Sequence, residues 1–126
     1  MKYVIDTSIL IDHLRGIREA TSLVEKVERG EIEGIVSTVT EAELLSAKGC
    51  EDPKEKEIIE KLVGVFRKVE FDNEIAKIGA EFRREYGTSL LDSVIAATAF
   101  REKCPVLTKN LKDFARIKAV EIQSPY

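Results

Sequence analysis

Short apolar runs alternate along the chain with longer segments in which apolar residues recur every three to four positions. The short runs are rich in β-branched residues and predict strands, whereas the longer segments have the period of amphipathic helices. Strands are predicted over residues 2–5, 35–37, 69–71, 105–108 and 120–122. Helices are predicted over residues 9–14, 23–27, 40–47, 53–66, 73–86 and 91–100.

This alternation predicts the class of fold. Strands that alternate with helices are typical of an α/β protein in which helices cover both faces of a parallel sheet. We therefore expect three layers around a sheet of four to five short strands, and a length of 126 residues corresponds to a single domain, 1–126. Ligands of such sheets bind beyond the carboxyl ends of the strands, which draws attention to Asp6 and to the stretches after Ser37 and Thr108.

Composition excludes several classes of protein. Hydrophobic residues make up 44% and charged residues 34%, which excludes an intrinsically disordered chain. The net charge of −3 excludes a uniformly basic, histone-like phosphate binder, although not a local basic face. No apolar run approaches the roughly 20 residues of a membrane span, and Asp6 follows Met1 too closely for a signal peptide. We expect a soluble, cytoplasmic protein.

The cysteine and histidine content narrows the metal chemistry. Cys50 and Cys104 lie far apart and form no C-x-x-C pair, and His13 is the only histidine. A structural zinc site needs nitrogen and sulfur ligands, so this class of site is nearly excluded. A divalent metal would have to be held by oxygen, which favours Mg²⁺ or Mn²⁺.

Four acids follow predicted strands or stand where helices begin. Asp6 ends the first strand, Glu43 and Asp92 each follow a Thr or Ser by three residues, and Asp113 lies in a basic loop. Each has a structural alternative: a helix cap for Asp6, a capping box for Glu43 and Asp92, and a turn for Asp113. Because no histidine network is available to neutralise them, the four acids together favour a shared cation.

Four segments of the chain also carry a resemblance to a known family. They read VIDTSILID at 4–12, STVTEAELL at 37–45, LDSVIAATA at 91–99 and LTKNLKDF at 107–114. In their order, spacing and placement after strands, these segments resemble the PIN domains, specifically the VapC-type toxin ribonucleases of prokaryotic toxin–antitoxin pairs. The resemblance spans essentially the whole chain. It implies a PIN-like three-layer α/β/α fold and a metal-dependent endoribonuclease that uses a metal-activated water.

The resemblance implies a set of catalytic, metal-holding residues. The family's first aspartate falls on Asp6, its glutamate on Glu43 and its helix-opening aspartate on Asp92. Many members have a further aspartate where Asn110 stands here, and Asp113 follows one turn later, so either could hold the metal. We expect Asp6, Glu43, Asp92 and Asp113 to bind one or two Mg²⁺ or Mn²⁺ ions, with Asn110 as the alternative fourth position.

Further expectations follow from the same resemblance. Thr7 or Ser8 adds a hydroxyl contact to a coordinated water, as small polar residues do at these positions in the family. VapC-like proteins commonly form homodimers and are inhibited by an antitoxin near the acidic site. The expected partners are therefore RNA, a VapB-like antitoxin and a second copy of the chain.

An RNA substrate requires local positive charge. Between residues 101 and 118, six basic residues accompany only two acids. We expect Lys109 and Lys112 to contact RNA phosphates, with Arg83 and Arg84 on the same rim. The alternative for these side chains is ordinary solvated helix surface.

Two other interpretations stay open at this point. The run Asp6-Thr7-Ser8 after a strand is similar to the start of a haloacid dehalogenase-like phosphatase, in which an aspartate attacks phosphorus. That family has a second aspartate where this chain has Ser8. A catalytically silent PIN adaptor that only binds RNA or protein would keep its biological effect after Asp6→Asn.

Overall fold

Five parallel strands form one sheet, in the order β3-β2-β1-β4-β5, in a computed structural model that describes residues 1–126. The strands are β1 (Lys2–Ile5), β2 (Glu33–Ser37), β3 (Arg67–Val69), β4 (Val106–Leu107) and β5 (Ile122–Gln123). The predicted parallel α/β sheet is confirmed. Because β1 is the central strand, the residue that follows it lies between the ends of two neighbouring strands.

Seven α-helices connect and cover the strands. They are α1 (Thr7–Leu14), α2 (Arg18–Glu28), α3 (Thr38–Leu45), α4 (Pro53–Val63), α5 (Asn73–Tyr86), α6 (Leu90–Glu102) and α7 (Leu111–Phe114). A short 3₁₀ helix, Lys48–Glu51, precedes α4. The short α7 and this 3₁₀ helix were not predicted, because four residues are too few for a helical period to be visible in the sequence. No helix combines the length and the apolar character that crossing a membrane would require.

The helices divide between the two faces of the sheet. Tyr3 and Ile5 point to a core shared with α1 to α4, while Val4 points to a core shared with α5 to α7. In α6 every residue from 93 to 99 is buried, as its nearly continuous apolar sequence predicts. Gly79 of α5 packs against Val94 of α6, where even a Cβ would lie 3.4 Å from Val94 Cγ2. The buried residues of α6 join the core on this face of the sheet.

The start of α3 differs from the prediction. The sequence suggests that Thr40 opens this helix in a capping box with Glu43, but the helix begins at Thr38 and its N-cap is Ser37, whose Oγ accepts from the Val39 amide at 3.1 Å. Thr40 is instead a buried residue of the first turn. The predicted capping box is therefore wrong, and Glu43 has no capping role that would explain its carboxylate.

Most other boundaries differ from the predicted ones by one to five residues, with the largest difference at the start of α2, whereas α5 covers the predicted residues 73–86. Asp72 caps α5, with its Oδ1 accepting from the Ile75 amide at 3.0 Å. The third strand ends at Val69 instead of continuing to Phe71, because its partner β2 ends at Ser37 and offers no further backbone pairing. The Phe71 amide donates to the Thr38 hydroxyl instead.

Candidate metal centre and nucleic-acid interface

Asp6 is the buried acid at the centre of the sheet edge. It follows β1 directly and is 6% exposed. Although it occupies the N-cap position of α1, its side chain makes no capping hydrogen bond. Its Oδ2 instead accepts from the Ser8 hydroxyl and from the Thr108 hydroxyl, each at 2.7 Å. Two neutral donors therefore orient this carboxylate without neutralising it.

Thr108 ties the end of β4 to this carboxylate. The residue is fully buried, and its Oγ1 also accepts from the Asn110 amide at 2.8 Å. On the other side, Ser8 Oγ accepts from the Lys109 amide at 3.2 Å. The turn after β4 is thus fastened to Asp6 through two hydroxyl groups. Sequence reasoning assigned no role to Thr108, although its position directly after a strand end, like that of Asp6, was a usable signal.

Asp92 lies in the first turn of α6. Ser89 caps this helix, as predicted, with its Oγ accepting from the Asp92 amide at 3.1 Å. Burial raises the pKa of the half-buried Asp92 carboxyl above its usual value. The charge of Asp6 raises this pKa further, Asp113 and Glu43 add smaller contributions, and the Ser89 hydroxyl opposes them. Three acids from three other segments of the chain therefore act on the Asp92 carboxyl.

Glu43 and Glu41 have different surroundings although both lie on α3. The Lys68 ammonium group on β3 donates to Glu41 Oε2 at 2.7 Å, so Glu41 is held in an ion pair beside the sheet. Glu43 is exposed and has no such cation, and its charge is one of those that raise the pKa of Asp92. Of the two, only Glu43 is among the charges that raise the pKa of Asp92.

Asn110 and Asp113, the two alternatives for the fourth metal ligand, are hydrogen-bonded to each other. Asn110 precedes α7 and Asp113 lies within it, both on the surface. The Asn110 Nδ2 donates to Asp113 Oδ2 at 2.8 Å. This bond leaves the amide oxygen of Asn110 and the second carboxylate oxygen of Asp113 as acceptors at the rim of the site.

The two hydroxyls after Asp6 point in different directions. Ser8 contacts Asp6, as described above, whereas the Thr7 hydroxyl donates to Thr40 Oγ1 at 3.2 Å. Both threonines are buried, and their bond fastens α1 to α3. The structure therefore brings Ser8 to the candidate site and uses Thr7 to position the helix that carries Glu43.

The atoms that could bind a metal ion at this site are all oxygen atoms. Asp6, Glu43, Asp92 and Asp113 take part in none of the ion pairs of the protein. Carboxylate, hydroxyl and amide oxygens are the ligands that Mg²⁺ and Mn²⁺ prefer. No group of three or more His, Cys, Asp or Glu side chains lies close enough together to hold a metal ion. The chemistry of the residues thus fits a hard cation, with few carboxylates on each ion.

The basic residues near the site are not equivalent. The Lys109 ammonium group donates to the Tyr126 carbonyl oxygen at 2.7 Å and lies 4.6 Å from the centre of the Tyr126 ring. The Tyr126 hydroxyl in turn donates to Asp12 Oδ2 at 2.7 Å, and this contact and burial raise the pKa of the phenol. Lys112 is exposed and forms no ion pair. Lys109 is therefore occupied within the protein, and Lys112 is free.

Of the four acids, Asp6 is buried, Asp92 is half-buried, and Glu43 and Asp113 are exposed. A cavity of about 520 Å³ lies elsewhere, at the amino ends of the strands, where its walls include Gly34 and Arg67. Arg83 and Arg84 are exposed in the last turn of α5, which leads into the loop before Asp92. An open acidic centre with exposed bases nearby is suited to an extended polymer better than to an enclosed small molecule.

The chain is similar to known proteins along nearly its whole length. A family model described as PIN domain matches residues 3–120. Ribonuclease VapC19 of Mycobacterium tuberculosis is 33% identical over 132 residues, which cover 98% of each chain. Ribonuclease VapC2 of Methanocaldococcus jannaschii is 29% identical over 137 residues, covering 96% of this chain and 92% of the relative.

Solved structures are similar over the same length. A toxin–antitoxin complex from Klebsiella pneumoniae contains a chain that matches with a TM-score of 0.80 and 28% identity, covering 98% of both chains. VapBC2 from Rickettsia felis, bound to a DNA fragment from its promoter, matches with a TM-score of 0.82 and 98% coverage of both chains. At 19% identity the second likeness shows the fold alone.

Proposed function

The chain belongs to the PIN-domain family, and on that premise we propose that it is a metal-dependent endoribonuclease, the toxin of a VapBC-type toxin–antitoxin pair. The named VapC ribonucleases that it resembles along nearly its full length support the activity. The acidic centre supports the chemistry, because hard cations held by oxygen are a common means of cleaving phosphodiester bonds.

Each acid has a distinct part in this proposal. Asp6 holds the metal from the floor of the site, since Thr108 and Ser8 fix its orientation without neutralising it. Asp92 and Glu43 hold it from α6 and α3, and Asp113 or the Asn110 amide oxygen completes the donors from α7. When bound, one or two Mg²⁺ or Mn²⁺ ions per chain would supply the chemistry of a Lewis acid, making a water molecule more acidic and offsetting the charge of the reacting phosphate.

One observation carries the proposal furthest. Burial and the charges of Asp6, Asp113 and Glu43, which come from three other segments of the chain, raise the pKa of the half-buried Asp92 carboxyl. A fold that gathers like charges without any ion pair loses stability at that point. A divalent cation bound there would offset this loss of stability, because each carboxylate would be attracted to the cation.

A cleavage assay tests the function. The purified protein should cut single-stranded or structured RNA in the presence of Mg²⁺ or Mn²⁺ and stop when a chelator is added. Asp92→Asn should remove the activity. Cleavage that survives both the chelator and Asp92→Asn would contradict the proposal, and a lasting aspartyl-phosphate on Asp6 would indicate phosphatase chemistry instead.

The two glutamates of α3 provide a matched pair for the same assay. Glu43→Gln should lower cleavage by roughly 10- to 100-fold, since it removes a carboxylate of the metal centre. Glu41→Gln, two residues away and paired with Lys68, should leave cleavage within about twofold, as surface ion pairs contribute little. Equal effects of the two changes would remove Glu43 from the proposed site.

The partners in this proposal are RNA, a VapB-like antitoxin and a second copy of the chain. The toxin–antitoxin complexes among the similar structures support the antitoxin. An open reading frame next to the gene should encode a small protein that co-purifies with the chain and blocks its cleavage. Mass measurement of the free and bound forms then gives the oligomeric state. If Asp6→Asn leaves the biological effect intact, the protein is a silent PIN adaptor.

A further inference from the structure

Arg116 packs against the loop that leads into α6. A Cβ atom placed on Gly87 would lie 3.0 Å from Arg116 Nη2, so the guanidinium group rests on the backbone where glycine leaves room for it. Gly87 ends α5 in the left-handed conformation, with φ +68°, which favours glycine over residues with a side chain. The left-handed backbone favours glycine at position 87, and the absence of a Cβ there leaves space for the guanidinium group.

The position of this arginine is fixed from both sides along the chain. Phe114 and Ile117 are buried on either side of it, with exposed fractions of 0% and 1%. Arg116 itself is exposed and takes part in no ion pair. The two buried neighbours anchor the backbone at position 116, so the guanidinium group, which has no carboxylate partner, stays beside the loop after α5.

The same short segment connects Arg116 to the acidic centre. Asp113, whose charge raises the pKa of Asp92, is the third residue of α7, and Arg116 follows it by three residues, just beyond the end of that helix. On the other side, Gly87 is two residues from Ser89, which is at most about 7 Å of extended chain. Ser89 Oγ accepts the amide of Asp92. The guanidinium group therefore flanks the opening of α6.

We propose that Arg116 binds a backbone phosphate of the RNA next to the one that is cleaved, and that it is a substrate-binding residue of this enzyme. The inference rests on the proposed ribonuclease function and adds a residue to it. A planar guanidinium group with several free donors matches phosphate oxygens in a way that an ammonium group does not. Arg83 and Arg84, exposed on the last turn of α5, extend the positive surface along the same strand of RNA.

A structural role for Arg116 gives a different expectation. The carbonyl groups at the end of α5 carry partial negative charge, so the guanidinium could act only as a counter-charge to that helix end. Removing Arg116 would then lower the melting temperature and leave RNA binding and its salt dependence unchanged. Measurements of binding and of stability on the same variants separate the two roles.

The experiment uses the full chain carrying Asp92→Asn, so that bound RNA is not cut. Binding of a labelled single-stranded RNA is measured by fluorescence anisotropy with Mg²⁺ over a series of KCl concentrations. Arg116→Gln should raise Kd by about 5- to 20-fold and reduce the slope of log K against log salt by about 0.7, the value for one phosphate contact on a single strand. Arg116→Lys should recover part of the affinity, because it restores the charge without the planar fork.

The matched control is Arg29→Gln, which removes the same charge at the amino ends of the strands, opposite the acids. It should leave Kd and slope within experimental error of the parent. Equal behaviour of the two glutamine variants would overturn the role of Arg116 while leaving the ribonuclease function intact if the unmodified chain still cleaves RNA. A chain that neither binds nor cleaves RNA would overturn both.

Discussion

Thr108 donates a 2.7 Å hydrogen bond to Asp6 Oδ2 across 102 residues of chain. The bond follows from strand pairing: β1 and β4 are parallel neighbours, and Ile5 is in register with Leu107. The residues that come next in each strand therefore lie side by side. The sheet register thus delivers a hydroxyl donor to the acid that sits deepest in the candidate metal centre.

Loss of this donor should disturb the acidic centre more than the fold. Thr108→Val keeps the shape of the buried side chain but leaves Asp6 with one hydroxyl donor instead of two. We expect about 1 kcal/mol lower free energy of unfolding and at least about 10-fold slower RNA cleavage. Thermal melting and single-turnover cleavage measure the two quantities.

The control for this change is Thr108→Ser, which keeps the hydroxyl group and removes a methyl group. It should retain most of the cleavage rate, although the small cavity will cost about 1 kcal/mol of stability. If Thr108→Val cleaves as fast as Thr108→Ser, the hydrogen bond to Asp6 does not orient a metal ligand.

Asp92→Asn should raise the stability of the metal-free protein, although it removes the cleavage activity. The substitution removes a carboxylate that burial and three neighbouring acids disfavour. Since the group is half exposed, solvent screening limits the gain to less than about 1 kcal/mol, or up to about 4 °C in Tm for the metal-free protein. Calorimetry in the presence of chelator checks this, and a lower Tm for the variant would contradict the repulsion that the structure indicates.

The advantage of Asp92→Asn should depend on pH. The pKa of Asp92 is higher in the folded chain than its ordinary value of 3.8. Between pH 3.8 and the raised pKa, the folded chain therefore holds a proton on Asp92 that the unfolded chain has lost. The carboxyl therefore destabilises the fold fully above its raised pKa, and this penalty disappears as the pH falls towards 3.8. The Tm difference between the variant and the original protein should be largest at neutral pH and shrink on acidification.

Acids with a lowered pKa have the opposite effect on stability when the pH falls. The quantity to measure is therefore the difference in Tm between Asp92→Asn and the original protein. The pKa of Glu102 is lowered by its hydrogen bond to Arg67, so its stabilising contribution is lost on acidification. That contribution is common to both proteins and cancels. A Tm difference that stays constant from neutral pH to pH near 4 would contradict the raised pKa of Asp92.

Metal binding should be visible without any cleavage. If Mg²⁺ or Mn²⁺ binds only the folded state, a concentration of about 100 times Kd stabilises the protein by about 2.7 kcal/mol. Asp6→Asn and Asp92→Asn should each remove most of this metal-dependent rise in Tm, whereas Glu41→Gln should keep it. A rise that is the same in all three variants would place the metal elsewhere on the protein.

Lys109 and Lys112 should respond differently to charge reversal. Lys112→Glu should raise KM for RNA by about 3- to 10-fold and flatten its salt dependence, since this cation is free to contact phosphate. Lys109→Glu should in addition lower Tm, because the Lys109 ammonium group is bound to the Tyr126 carbonyl and ring. Equal KM values for Lys112→Glu and the original protein would remove this residue from the RNA-binding surface.

Much of the fold could be predicted from local sequence. Strands and helices each have a characteristic spacing of hydrophobic residues along the sequence. The side chains of β1 alternate between the two cores, as the spacing for a strand requires. The unbroken apolar sequence of α6 predicted its full burial. Capping was harder, since Ser37, Thr38 and Thr40 are all good candidates and only the end of β2 determines which one begins α3.

What the sequence alone determined was the alternation of strands and helices, and with it the placement of acids at one edge of a parallel sheet. The tertiary structure decided which polar groups meet at that edge. Lys68 on β3 forms an ion pair with Glu41 and leaves Glu43 without one, and the Tyr126 carbonyl oxygen accepts a hydrogen bond from the Lys109 ammonium group. Hydrophobic periodicity is a local property of the chain, whereas a hydrogen bond or ion pair depends on which distant segments the sheet order makes neighbours.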